Sequence, residues 1–147
     1  MLVLDASAAL AWIFERANRA EAEHARAVLA SLEELQPVVP SLWHIEVLNA
    51  LVTAQRRRLL SLSKASDFLS RLDRLPIETD AAPVSERKPQ IFALAREYGL
   101  SAYDATYLDL ALRAGAALFT FDRKLMQAQT KAGVLSPSAS ISPSARS

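Results

Sequence analysis

At 147 residues the chain has the length of one domain with its own core, and 51% hydrophobic against 22% charged residues is a globular rather than a disordered composition. A formal net charge of +1 gives no global electrostatic footprint for nucleic acid, so any such contact must come from a local basic patch. The absence of cysteine excludes a disulfide framework and a thiolate zinc site, and His24 and His44 are too few for a histidine-rich metal centre, which leaves oxygen ligands.

The opening MLVLDASAALAWIF is apolar, but it has no basic leader, Asp5 interrupts it, and Glu15 and Arg16 follow at once. It does not read as a signal peptide. No stretch approaches the roughly 20 apolar residues of a membrane helix, so a soluble, cytoplasmic protein is expected. Leu2-Val3-Leu4 reads as a buried strand entering a helix at Asp5-Ala-Ser7. An alanine-rich helix is expected over about 18–34, then a short strand at Val38-Val39 between Pro37 and Pro40. Pro40 or Ser41 opens a long helix through LWHIEVLNALVTAQRRR, in keeping with proline near a first helical turn.

A helix over 62–72 with Ser63 as its cap follows, then a weak strand at Leu75-Pro76-Ile77. The next helix starts near Pro83, with a bend or restart expected at Pro89, and ends at Gly99. Ser101 opens a helix to Arg113 that stops at Gly115. The clearest strand is 117–121, and Asp122 begins the last helix, to about Ala132. Strands alternating with helices imply parallel pairing through right-handed crossovers, with ligands collecting beyond the carboxyl ends of the strands. The chain therefore divides into a domain over 1–133 and a Ser/Pro/Ala-rich tail over 134–147, too poor in apolar residues to order itself.

Four acids stand out: Asp5, Glu46, Asp104 and Asp122. Three open helices, and each of those has a simple alternative role as a helix cap; Ser101-Ala-Tyr-Asp104 even has capping-box spacing. Glu46 resists that account, because Leu42, Trp43, Ile45, Val47, Leu48, Leu51 and Val52 leave it little polar face. A partly desolvated carboxylate in a cleft is the better reading. Gathering four carboxylates without a counter-charge is costly, and a divalent cation is the plainest remedy. Asp109 lies about 140° around the helix from Asp104 and is expected on a solvated face or paired with Arg113.

The segments Asp-x-Ser after the first strand, Glu-x-x-Asn-Ala-Leu in the long helix, Tyr-Asp-Ala at a helix start and Thr-Phe-Asp-Arg-Lys-Leu after the last strand occur in that order. Over 1–133 this arrangement resembles the PIN-domain ribonucleases, most closely the VapC toxins of bacterial VapBC toxin–antitoxin pairs. LAREYGLSAYDATYLDLALRAGAALFTFDRKL is the most family-like stretch. The resemblance implies a three-layer α/β/α fold around a short, mostly parallel sheet. It implies Asp5, Glu46, Asp104 and Asp122 as catalytic acids, with Asp5, Asp104 and Asp122 holding Mg2+ or Mn2+. Ser7, Asn49 and Thr120 would orient those carboxylates or a metal water.

By the same resemblance the protein is a toxin that hydrolyses RNA with a metal-activated water, leaving a 5′-phosphate and a 3′-hydroxyl. Its expected partners are RNA, a VapB-type antitoxin that covers the acidic site with an opposing arginine, and a second copy of itself. Arg56, Arg57, Arg123 and Lys124 are candidate RNA contacts, although cations at the C-terminus of a helix also suit its dipole. Trp12 and Phe14 are candidate parts of an antitoxin groove. Two rival readings stand beside this one. An aspartate-based phosphohydrolase would want a second carboxylate where Ser7 stands, and a catalytically inactive PIN-like scaffold would have no reason to keep four acids.

Overall fold

Leu2, Val3 and Leu4 are 1%, 0% and 0% exposed, and the reason is the place of their strand in the sheet. The computed structural model of the protein describes residues 1–137. Strand β1 (Leu2–Leu4) lies between β2 (Pro37–Val39) and β4 (Ala117–Phe119), and β3 (Glu78–Thr79) completes the order β3-β2-β1-β4. Every pairing is parallel, with Leu4 opposite Phe119 and Val3 opposite Val38. A parallel strand covered on both faces reads as a continuous apolar run, as β1 does.

Helices α1 (Ala6–Leu10), α2 (Arg19–Ala30) and α3 (Leu32–Leu35) connect β1 to β2. The single helix expected over about 18–34 is divided: the chain leaves helical geometry at Ser31, and Asn18 caps α2 by accepting from the Glu21 N–H. Helices α4 (Leu42–Arg56) and α5 (Leu62–Leu72) lead to β3. The cap of α5 is Ser61, which accepts from the Lys64 N–H, and not Ser63. The third strand also differs from expectation. It lies at Glu78–Thr79, past Leu75-Pro76-Ile77, because pairing with Val38 and Val39 sets its register and both its residues are exposed. His44 ties α4 to that edge, its Nε2 lying 2.8 Å from Thr79 Oγ1.

Helix α6 (Val84–Tyr98) runs through Pro89 without a break. Pro89 is the sixth residue of the helix, and the one bond it forfeits is to Ser85, where the first turn is open to water. Gly99 and Gly115, at φ 64° and 59°, end α6 and α7 (Ala102–Ala114) in the left-handed conformation. Strand β4 is shorter than the expected 117–121, and α8 (Arg123–Lys131) follows. After α8 the chain returns to the sheet edge, where the Leu118 N–H donates to the Leu135 carbonyl at 2.8 Å. The tail beyond residue 137, where disorder was expected, lies outside the described residues.

Asp109 is not on a solvated face: it is 3% exposed. Arg87 of α6 grips both of its oxygens at 2.6 and 3.0 Å, and Arg113, the expected i+4 partner, bonds Oδ2 at 3.0 Å. Arg113 reaches on to Asp80 at 2.7 Å, so the network fastens α6, α7 and the end of β3 together.

Candidate active site

Adjacent strands β1 and β4 are where the sheet order reverses, since the chain runs outward from β1 to β3 and then returns to the other side of β1. The crevice beyond their carboxyl ends is where an open α/β sheet receives ligands. Asp5 leaves β1 there, its N–H donating to the Phe119 carbonyl at 3.0 Å. Thr120 and Asp122 leave β4 at the same end. An open cleft of about 330 Å3 is lined by Asp5, Glu46, Asp104 and Asp122, together with Ser7 and Asn49. All four acids picked out of the sequence are thus in one place.

Asp5 stands at the N-cap of α1, yet its side chain makes no cap hydrogen bond. Its Oδ2 instead accepts from the Ser7 hydroxyl at 2.6 Å and the Thr120 hydroxyl at 2.7 Å. Both hydroxyls are themselves fixed, because the Phe121 N–H donates to Ser7 Oγ and the Asp122 N–H to Thr120 Oγ1, each at 3.0 Å. Burial of Asp5, 4% exposed, raises its pKa; the two hydroxyls oppose that shift, and the charge of Asp122 adds to it. Asp122 does act as a cap, Oδ1 accepting from the Leu125 N–H at 2.9 Å, while lining the cleft. Ser101 caps α7 by accepting from the Asp104 N–H.

Glu46 is half-buried on α4, whose inward stripe is Trp43, Val47, Leu51 and Ala54. Desolvation first, then the charge of Asp5, pushes Glu46 up to about 7 against a Tyr107 hydrogen bond that lowers it. Desolvation, then Asp122 and Asp5, pushes Asp104 up to about 6. Sequence reasoning missed Tyr107. This residue is 0% exposed, and its hydroxyl donates to Glu46 Oε1 at 3.2 Å. The signal was present: Tyr107 lies one helical turn after Asp104 in an otherwise apolar face.

The donor set fits a hard divalent cation. It is all oxygen, and none of the ion pairs among the described residues involves the four acids. Three of the acids sit at helix N-termini, whose positive ends offset only part of that charge. Among the described residues no group of three such side chains forms a ready-made cage. Mg2+ suits such a site, because it keeps several waters and is bound through one or two carboxylates.

The candidate RNA contacts divide. Arg123 and Lys124 are exposed at the start of α8, and the charge of Lys124 is felt by Asp104. Arg56 and Arg57 are exposed at the far end of α4, about 10 Å along the helix from Asn49 at 1.5 Å per residue. Trp12 is half-buried and donates from Nε1 to the Ala25 carbonyl at 2.9 Å, which commits it to the α1–α2 junction.

An all-parallel α/β fold with a carboxylate cleft at its switch point defines the class, and the family profile of the PIN domain matches residues 2–131. The chain belongs to the PIN-domain family. Within the family it is 34% identical over 126 residues to ribonuclease VapC3 of Pyrobaculum aerophilum, covering 86% of this chain and 92% of that one. The crystal structure of PAE2754 from Pyrobaculum aerophilum superposes with a TM-score of 0.61 at 27% identity, covering 86% of this chain and 83% of that one. The structure of FitAcB from Neisseria gonorrhoeae shares the fold, with a TM-score of 0.63 at 20% identity over 94% and 97% of the two chains.

Proposed function

We propose that the protein is a Mg2+- or Mn2+-dependent endoribonuclease of VapC type and the toxin of a toxin–antitoxin pair. The observation that carries this reading is the convergence of four carboxylates, unpaired with any cation among the described residues, in one open cleft. The likeness to ribonuclease VapC3 over most of both chains supports the substrate class.

Asp5, Asp104 and Asp122 would hold the ion, which when bound supplies Lewis-acid activation of water and neutralises charge on the phosphodiester. The hydroxyls of Ser7 and Thr120 fix the rotamer of Asp5. Glu46, which lines the same cleft from α4, would accept a proton from the attacking water, with Asn49 one turn further along the same wall. Lys124 and Arg123 offset the repulsion between this cleft and the RNA backbone. Arg56 and Arg57 would engage RNA further from the cut.

An antitoxin segment carrying an arginine is complementary to the same carboxylates. Phe14, half-buried beyond α1, would form part of its groove. A homodimer is supported by the outer side of α4, where Ile45, Leu48 and Val52 are 67%, 42% and 41% exposed at helical spacing. Among the described residues no helix is long and apolar enough to cross a membrane, and a cytoplasmic location follows from the proposed RNA substrate.

The test is cleavage of labelled RNA by purified protein with Mg2+ or Mn2+, with chelator and with Asp5→Asn. Cleavage abolished by both supports the reading. Cleavage that is absent, or indifferent to both, refutes it.

A further inference from the structure

We propose that Tyr107 is a positioning residue for the cleavage site, its phenol holding the Glu46 carboxylate against the Asp5 corner; this rests on the nuclease reading above. A buried tyrosine in an apolar helix face needs a reason for its oxygen. Ala105, Leu108 and Ala111 around it are 0%, 0% and 1% exposed, and phenylalanine would fill the same volume. Burying a hydroxyl is unfavourable unless it finds a partner. Here the partner is Glu46, 61 residues earlier in the chain and on another helix.

The placement joins three walls of the cleft. Tyr107 belongs to α7, the helix that supplies Asp104. Its oxygen donates to Glu46 of α4, and the charge of Asp5, at the end of β1, acts on the same phenol. Glu46 needs such a hold. Its side chain has three rotatable bonds, and the charges of Asp5 and Asp104 both repel it. Those charges favour rotamers that swing the carboxylate out into water. Among the described residues the Tyr107 hydroxyl is the one side-chain donor to Glu46, at 3.2 Å. Removing it leaves the carboxylate in place on α4 but free to leave the cleft.

The experiment compares Tyr107→Phe with Leu110→Ala, a cavity in the same helix at a side chain that does not line the cleft, and with Glu46→Ala alone and combined with Tyr107→Phe. In Tyr107→Phe, kcat for a labelled RNA should fall about tenfold or more, the usual range for a group that orients a site residue. KM for the RNA should stay within about twofold, as expected when transition-state and not ground-state binding is lost. Leu110→Ala should lower Tm with kcat unchanged. Melting of the chelated wild type, Tyr107→Phe, the Glu46 variant and the double variant should show coupling between Tyr107 and Glu46, because residues in contact do not add. A Tyr107→Phe kcat equal to wild type, an equal kcat loss in Leu110→Ala, or additive melting losses would each overturn the assignment. A wild-type protein that cleaves no RNA with either metal overturns the nuclease reading instead, and this inference falls with it.

Discussion

Replacing Thr120 with valine removes one oxygen and leaves the shape of the side chain nearly unchanged. In the wild-type protein that oxygen donates to Asp5 Oδ2 at 2.7 Å and accepts from the Asp122 N–H at 3.0 Å. A hydrogen bond to a charged group contributes about 1.5–3 kcal/mol and a neutral one about 0.5–1.5 kcal/mol. Ser7 still donates to the same Asp5 oxygen at 2.6 Å, which places the expected loss at the low end, about 2 kcal/mol. For a domain of this length that corresponds to a Tm lower by roughly 6–8 °C. Because Asp5 then has a freer rotamer, metal-dependent RNA cleavage should also fall, by about 10–100-fold. Differential scanning calorimetry in chelator and a cleavage assay with saturating Mn2+ measure the two effects separately. A Tm within about 1 °C of wild type together with full cleavage would refute the idea that these hydroxyls hold the acid in place.

Asp109→Asn should separate stability from chemistry: with the grip of Arg87 and Arg113 broken, Tm should drop by about 5–10 °C while kcat stays within about twofold, and a large kcat loss at unchanged Tm would contradict the placement of Asp109 outside the cleft. The chelated protein should grow less stable as pH rises. Glu46 and Asp104 titrate near 7 and 6 in the folded chain against 4.5 and 3.8 as ordinary carboxylates, so between about pH 4 and 7 the folded state binds more protons than the unfolded one. Melting temperatures taken at pH 5.5 and 7.5 should therefore fall with pH, and added Mn2+ should flatten the trend; a rise would contradict the mutual repulsion of the acids.

What the sequence made legible is what local pattern controls. The apolar run of β1, the glycine stops of α6 and α7, and the four acids at their elements all follow from near-neighbour chemistry. The misplacements have a common physical origin in distant contacts. Glu78–Thr79 pairs as a strand because Val38 and Val39 present it with free backbone groups, which no apolar pattern announces. Asp109 looks solvated by its spacing and is buried because Arg87, 22 residues earlier, covers it. The cap of α5 is the local exception: Ser61 and Ser63 flank Leu62, and only backbone geometry chooses between them. Tyr107 again has a distant partner, 61 residues away.

The hydrogen bond between Asp5 and Thr120 spans 115 residues, and that separation bears on how such a protein is made. A chain still being synthesised presents Asp5 well before β4, Thr120 and Asp122. Until they have left the ribosome, β1 lacks one of its two flanking strands and the acidic corner has only one wall. The assembly of the proposed catalytic centre is thereby tied to the synthesis of β4 and the turn after it. A fragment that ends before β4 would lack Thr120 and Asp122, and with them one wall of the proposed site.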